Sequence, residues 1–275
     1  MNKTRYSLTD IGINLTDSVF DADRETVIQS AESAGVKRML ITGTTAAESE
    51  KAISLCQQHP NTLFCTAGVH PHYSKEFSPA IRDTLAALLK QPEVRAVGET
   101  GLDFNRNVSS PEQQIRAFEQ QLELAAESGL PLFLHERDAH NKQIEMLRHA
   151  RDHLHGGVAH CFTGSRKELY NYLDLDLYIG ITGWICDERR GGELLGLVKD
   201  IPANRLMLET DAPYLIPRNL NPKPKSRRNL PAYLIHILEQ VAQERACDPQ
   251  ELALQTEANC QRLFRFNQTK EEAGQ

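Results

Sequence analysis

The sequence predicts an α/β fold in which a parallel sheet closes on itself, a (β/α)8 TIM barrel. Three observations carry this. Short apolar or β-branched runs alternate with longer amphipathic stretches along nearly all of the 275 residues. Eight such runs can be counted, at 8–14, 38–44, 63–70, 95–102, 131–135, 157–161, 177–182 and 205–211. Acidic or imidazole side chains recur at the C-terminal ends of several of them, Glu99, His135, His160 and Asp211 among these, and that is the end at which such a barrel builds its chemistry. A doubly wound sheet shows the same alternation but gathers its site at one switch point. Here chemistry-bearing residues end strands three to six and eight, and only closure of the sheet brings those ends together.

Between the strands, helical periodicity predicts helices at 21–34, 46–58, 79–89, 111–128, 139–151, 166–173 and 192–198. The fourth shows how the boundaries are written. Ser110 can cap, Pro111 fits the first helical position, Gln113 can close a capping box, and Gly129 ends the helix before the next strand. Past strand eight come a basic loop, Pro222-Lys223-Pro224-Lys225-Ser226-Arg227-Arg228-Asn229, and helices at 231–246 and 249–264. One barrel domain is therefore expected over 1–266, followed by a polar, charged tail at 267–275 that is expected to be disordered.

With 40% hydrophobic and 25% charged residues, composition matches ordinary globular usage. No apolar run approaches the ~20 residues of a membrane span, and the first residues show no apolar signal region, so a cytoplasmic protein is expected. The six cysteines form no Cys-x-x-Cys pair, which suits a reducing compartment and argues against a thiolate zinc site. A net charge of −6 excludes a nonspecific nucleic-acid coat protein. The local charge differs, because the basic loop and Arg189-Arg190 could hold phosphates near the barrel mouth. Trp184, the only tryptophan, and Tyr214 could stack bases there.

Residues two apart on a strand share a face. Val97 with Glu99, Phe133 with His135, and Glu209 with Asp211 are thus expected to point inward in pairs, and His70 and His72 to flank Pro71 at the mouth. Cys161 is expected to face the helices if His160 faces the interior. Glu209 is expected to be a core carboxylate paired with an inward basic group or with Asp10. Oxygen and nitrogen ligands on successive strand ends point to a divalent metal.

Five motifs together carry a resemblance: Thr66-Ala67-Gly68-Val69-His70-Pro71-His72, Val97-Gly98-Glu99-Thr100-Gly101-Leu102-Asp103, Leu134-His135-Glu136-Arg137-Asp138, His160-Cys161-Phe162-Thr163-Gly164 and Leu208-Glu209-Thr210-Asp211-Ala212-Pro213-Tyr214. In matching order from Asp10 to about Phe264, the chain resembles the TatD family of metal-dependent deoxyribonucleases. The resemblance implies an amidohydrolase-like TIM barrel, one or two divalent ions and 3′-to-5′ exonuclease activity on single-stranded DNA, and RNA as a further substrate. It implies Glu99, His135 and His160 as metal ligands, Asp211 as ligand and catalytic aspartate, Glu99 as a second catalytic carboxylate, and His70 and His72 as a pair contacting phosphate or metal. Arg137, Arg227 and Arg228 are the candidates to grip the substrate backbone.

The chain departs from most of the family at strand one. Asp10-Ile11-Gly12-Ile13-Asn14 stands where many members carry Asp-x-His-x-His, a departure that resembles the TatD subgroup proper. With two imidazoles gone, a carboxylate-rich remainder suits Mg²⁺, or Mn²⁺, better than a tightly held Zn²⁺ pair. The expected chemistry is water acidified by the ion, with Asp211 accepting its proton and attack in line on a phosphodiester. Two other functions fit the same barrel: a small-molecule amide, ester or lactone hydrolase, and a non-catalytic scaffold with a degraded metal site.

Overall fold

The structure is a computed structural model that describes residues 6–189 and 191–267. Eight parallel strands, β1 (Leu8–Ile13), β2 (Val36–Ile41), β3 (Leu63–Ala67), β4 (Val94–Asp103), β5 (Leu132–Arg137), β6 (Gly157–Ala159), β7 (Tyr178–Ile181) and β8 (Leu206–Leu208), pair in sequence order. The sheet closes where the chain past β8 returns to β1. Asp211 N donates to Gly12 O at 2.8 Å and Asn14 N to Ala212 O at 2.8 Å. The expected TIM barrel is therefore present.

Nine helices pack around it among the described residues: α1 (Arg24–Ala34), α2 (Ala46–Gln58), α3 (Pro79–Leu88), α4 (Pro111–Ser128), α5 (His140–Ala150), α6 (Arg166–Leu173), α7 (Gly192–Leu197), α8 (Leu234–Arg245) and α9 (Pro249–Phe264). The capping box at Ser110 and Gln113 forms, and Gly129 ends α4 at φ +66°. Helix α1 starts at Arg24 rather than at 21, because Ser18–Phe20 form a 3-10 turn that buries Phe20. Asn267, expected in the tail, accepts from Arg38 Nη2 at 3.4 Å, and the rest of that segment, 268–275, lies outside the described residues. No helix among the described residues is long and apolar enough to cross a membrane.

Two apolar layers hold the barrel. Inside it, each strand contributes one residue to a common cluster: Ile11, Leu40, Phe64, Ala96, Phe133, Val158, Tyr178 and Met207. Cys260, Leu263 and Phe264 of α9, with Phe266, belong to the same cluster. They plug the N-terminal end, where Arg95 at the start of β4 donates to Arg265 O at 3.1 Å. The larger outer cluster joins the other strand faces to the helices. Each large side chain fully buried in these layers contributes about 1.5–3 kcal/mol, so the plugged end is the rigid base and the opposite end is left for loops.

Strict alternation fails at one place that matters. Val97 packs in the outer cluster and Ala96 in the inner one, so Val97 does not point inward with Glu99 as expected. The pairing of β4 with β5 shifts register between Val97 and Thr100, which resets the phase and turns Glu99 toward the mouth. Gly98 sits in that irregularity at φ +150°, and a Cβ there would overlap the Phe133 carbonyl, so β4 and β5 can run this close only with glycine.

Candidate metal centre

Glu99 is the hub of the mouth, and three imidazoles surround one of its oxygens. Glu99 Oε1 lies 2.9 Å from His135 Nδ1, 2.9 Å from His160 Nε2 and 3.6 Å from His70 Nε2. His70, Glu99 and His135 each offer a donor atom within 4.8 Å of the others. Glu99, His70 and His160 are buried. Imidazole nitrogens around a carboxylate oxygen are a donor set that fits a divalent cation. Three of the four expected ligands, Glu99, His135 and His160, therefore converge, and His70 lies beside them.

Asp211 stands at the rim of this cluster, just past β8 in the left-handed conformation (φ +54°), with Oδ1 accepting from Asn14 Nδ2 at 3.0 Å. Burial, reinforced by the charges of Glu99 and Glu209 against the opposing His160 and Asn14, pushes its carboxyl up to about 7. In Glu99 burial works the same way but loses. His160, with hydrogen bonds from His135 and His160, holds its carboxyl well below the usual range. Two carboxylates a few residues apart in space thus have opposite proton affinities.

Two further carboxylates orient the imidazoles, and sequence alone gives neither a role at the site. Asp103, at the end of β4, lies 2.8 Å from His72 Nε2 and 3.5 Å from His135 Nε2. The available signal was its even spacing from Glu99. Glu209 Oε2 lies 3.1 Å from His160 Nδ1, so the expected pairing with an inward basic group is made with His160 and not with Asp10. His70 is fixed differently. Its Nδ1 accepts from the backbone N–H of His72 at 3.1 Å, which leaves the ring proton on Nε2, pointing toward Glu99. Burial drives the His70 imidazolium down to about 3, so the ring is neutral. A neutral ring carrying that proton is a donor, which suits contact with an anion better than ligation.

The candidate phosphate-gripping arginines separate. Arg137, at the end of β5, is exposed and lines the open cleft of about 1630 Å³ above the cluster, as does Arg106 from the loop after β4. Arg228 is used within the fold. It donates to both carboxylate oxygens of Asp23 at 2.9 and 2.6 Å and to Val19 O at 2.8 Å, and it covers the Phe20 ring, so it pins the basic loop to the β1–α1 connection. Arg227 and Lys225 are exposed and do not line the cleft. Arg189 is paired with Asp187 at 2.9 Å, and Arg190 lies outside the described residues.

Trp184 lines the same cleft, half-buried against the core, whereas Tyr214 and Tyr73 stand 55% and 42% exposed at its mouth. Cys161 corrects an expectation. Strand β6 ends at Ala159, Cys161 takes φ +47° in the following turn, and its side chain lines the cleft instead of facing the helices.

Residues 9–265 match the TatD related DNase family. The chain belongs to that family. The 3'-5' ssDNA/RNA exonuclease TatD of Salmonella typhimurium is 56% identical over 255 residues, which are 93% of this chain and 98% of that protein. Among solved structures, a TatD-family hydrolase from Entamoeba histolytica has a TM-score of 0.87 at 27% identity, covering 95% of this chain and 99% of that one. A TatD homologue from Escherichia coli gives 0.85 at 27% identity, covering 95% and 98%. In this TatD-family chain the strand-one departure has a structural counterpart. Asn14 bonds Asp211, and the space beside Gly12 is filled by the Glu209 carboxylate.

Proposed function

We propose that the chain is a metal-dependent exonuclease that removes nucleotides from the 3′ end of single-stranded DNA and RNA. The observation that carries this is the convergence of Glu99, His135 and His160 beneath an open cleft in a chain 56% identical to proteins named for that activity. In this reading Glu99, His135 and His160 hold a divalent cation and Asp211 completes the centre. The ion supplies Lewis acidity, making water a stronger acid and drawing charge from a phosphoryl oxygen.

The protein's own residues do the rest. Asp211, at the rim of the cluster, accepts the proton of the attacking water. His70 and His72, which line the cleft, contact the phosphate or the metal, and Arg137, with Arg106, holds the neighbouring backbone charge. Tyr214 and Tyr73 stack the bases next to the scissile bond. Mg²⁺ is the ion of this reading, supported by the two carboxylates. The imidazoles around Glu99 favour Mn²⁺ as the second candidate. Free cysteines at all six positions fit a cytoplasmic setting.

The test is an end-labelled single-stranded oligonucleotide incubated with purified protein and Mg²⁺, Mn²⁺, Zn²⁺ or chelator, beside Asp211→Ala. The expected outcome is metal-dependent shortening from the 3′ end, slowed ~10²–10⁴-fold in the variant. Equal rates for the two proteins would remove Asp211 from the chemistry. Hydrolysis of carboxylic esters with no attack on the oligonucleotide would replace the nuclease reading.

A further inference from the structure

We propose that Glu209 is a positioning residue: its carboxylate, seated in space left by two glycines, holds the His160 ring proton on Nδ1 and keeps Nε2 turned to the metal centre as a lone-pair donor. The proposal rests on the reading of that cluster as a metal site.

The geometry is closed on every side. Glu209 is 0% exposed. Its Oε1 accepts from the Cys161 backbone N–H at 2.5 Å, and its Oε2 faces His160 Nδ1 at 3.1 Å. The opposite ring nitrogen, Nε2, faces Glu99. The Phe133 ring packs against the imidazole at 4.8 Å between centroids, so the ring is held on a face as well as at an edge. Room for the carboxylate comes from strands β1 and β7. A Cβ on Gly12 would overlap Glu209 Oε2, and one on Gly180 would overlap Oε1. Burying a carboxylate is costly unless its oxygens are matched. A fold that clears two strands to bury one, and then aims it at a single imidazole, is using it to set that imidazole.

The tautomer follows from counting donors. An ionised carboxylate only accepts, so both the Cys161 N–H and the His160 Nδ1–H are satisfied at once. Glutamine has nearly the same shape but a single acceptor oxygen. The Cys161 N–H is fixed by the backbone and takes that oxygen, which leaves the glutamine NH₂ facing Nδ1. His160 must then move its proton to Nε2, where it occupies the lone pair a cation needs.

The experiment uses the full chain. Mn²⁺ binding is measured by calorimetry for wild type, Glu209→Gln and Gly12→Ala, and long-range ¹H–¹⁵N spectra of metal-free, ¹⁵N-histidine-labelled protein report each ring tautomer, with His160→Gln assigning the resonance. Wild type, whose two His160 ring nitrogens both face carboxylate oxygens when no metal is bound, is expected to carry a proton on Nδ1 of His160. Glu209→Gln is expected to lose that proton and show Nε2–H alone, and to bind Mn²⁺ about 10–100-fold more weakly. Gly12→Ala, which displaces the carboxylate without changing a polar group, is expected to lose affinity in the same range. If Glu209→Gln does not fold, Gly12→Ala decides alone. Variants that keep the His160 tautomer and bind within about threefold of wild type overturn the proposal, because an orienting carboxylate is worth more than that. An oligonucleotide assay on the same samples separates this from the proposed function. Wild type that binds Mn²⁺ tightly but shortens nothing sinks the nuclease reading alone, while an active nuclease whose variants bind like wild type sinks only the role of Glu209.

Discussion

At the scale of single residues, the barrel mouth is a set of carboxylates given different jobs by their surroundings, and one of them lies just beneath it. Asp10 is fully buried on β1, accepting from Thr210 N at 2.9 Å, Thr210 Oγ1 at 2.5 Å and Gly12 N at 3.3 Å. Burial outweighs those hydrogen bonds, Glu209 adds to it, and the carboxyl is pushed up to about 7 from 3.8. Between these two values the folded chain binds a proton that the unfolded chain has released, so this residue makes stability fall as pH rises through the window. Asparagine removes the ionisation while keeping an acceptor for the backbone N–H groups. Asp10→Asn should therefore gain on wild type as pH rises from about 4 to about 7, read as the difference between urea midpoints across that range. Midpoints that move in parallel would show that Asp10 titrates alike in the folded and unfolded states.

At the scale of elements, what the sequence reveals and what it hides divide along a physical line. Strands and helices follow from periodicity because burial against two apolar layers imposes it, and all eight strands lie where the alternation places them. Contacts that depend on a broken period do not show. The reversal of phase at Gly98 and Glu99 comes from a register shift that spacing alone cannot reveal. Arg228 reads as a solvent-facing phosphate contact until Asp23 and Phe20, some 200 residues earlier in the chain, are seen to hold it. Three buried glutamines are hidden in the same way, since each looks like a polar residue on an amphipathic helix. Gln114 and Gln121 of α4 and Gln143 of α5 bond the backbone of Asp103, Val69 and Leu102 where strand pairing gives out near the site. Gln114 both accepts from Asp103 N at 2.8 Å and donates to Asp103 O at 2.8 Å, and so fixes the carboxylate that orients His72 and His135. Gln114→Leu strands both groups in an apolar layer, at about 1–3 kcal/mol for each unpaired one. The expected result is a fall of that order in unfolding free energy, with faster hydrogen exchange at the Asp103 amide. Unchanged exchange there would show that water or a neighbouring group replaces the glutamine.

At the scale of the whole molecule, the question is how a chain of net charge −6 holds a polyanion. The cations that could help are mostly committed. Arg24 pairs with Asp21, Lys51 with Glu48, Arg189 with Asp187 and Arg218 with Glu188, each at 2.9 Å or less. Arg106 and Arg137 remain as exposed guanidiniums lining the cleft, beside the exposed rings of Tyr73 and Tyr214. In the proposed reading such a mouth would grip by stacking and by the chemistry at the centre far more than by counterion release. For single strands the logarithm of affinity falls with the logarithm of salt at a slope of about −0.7 per phosphate neutralised, so two arginines give a slope of about −1.4 and a loss of about sevenfold between 50 and 200 mM salt. Tyr214→Ala, by contrast, should cost about 1–3 kcal/mol of binding at any salt concentration. Fluorescence anisotropy of a labelled oligonucleotide across that salt range, with metal withheld to prevent turnover, reads both quantities. A slope of about −3.5 or steeper would mean that about five or more phosphates are neutralised. That number requires Lys223, Lys225 and Arg227 to bend over the cleft and join the contact, and the loop that Arg228 pins to Asp23 would then be part of the substrate site.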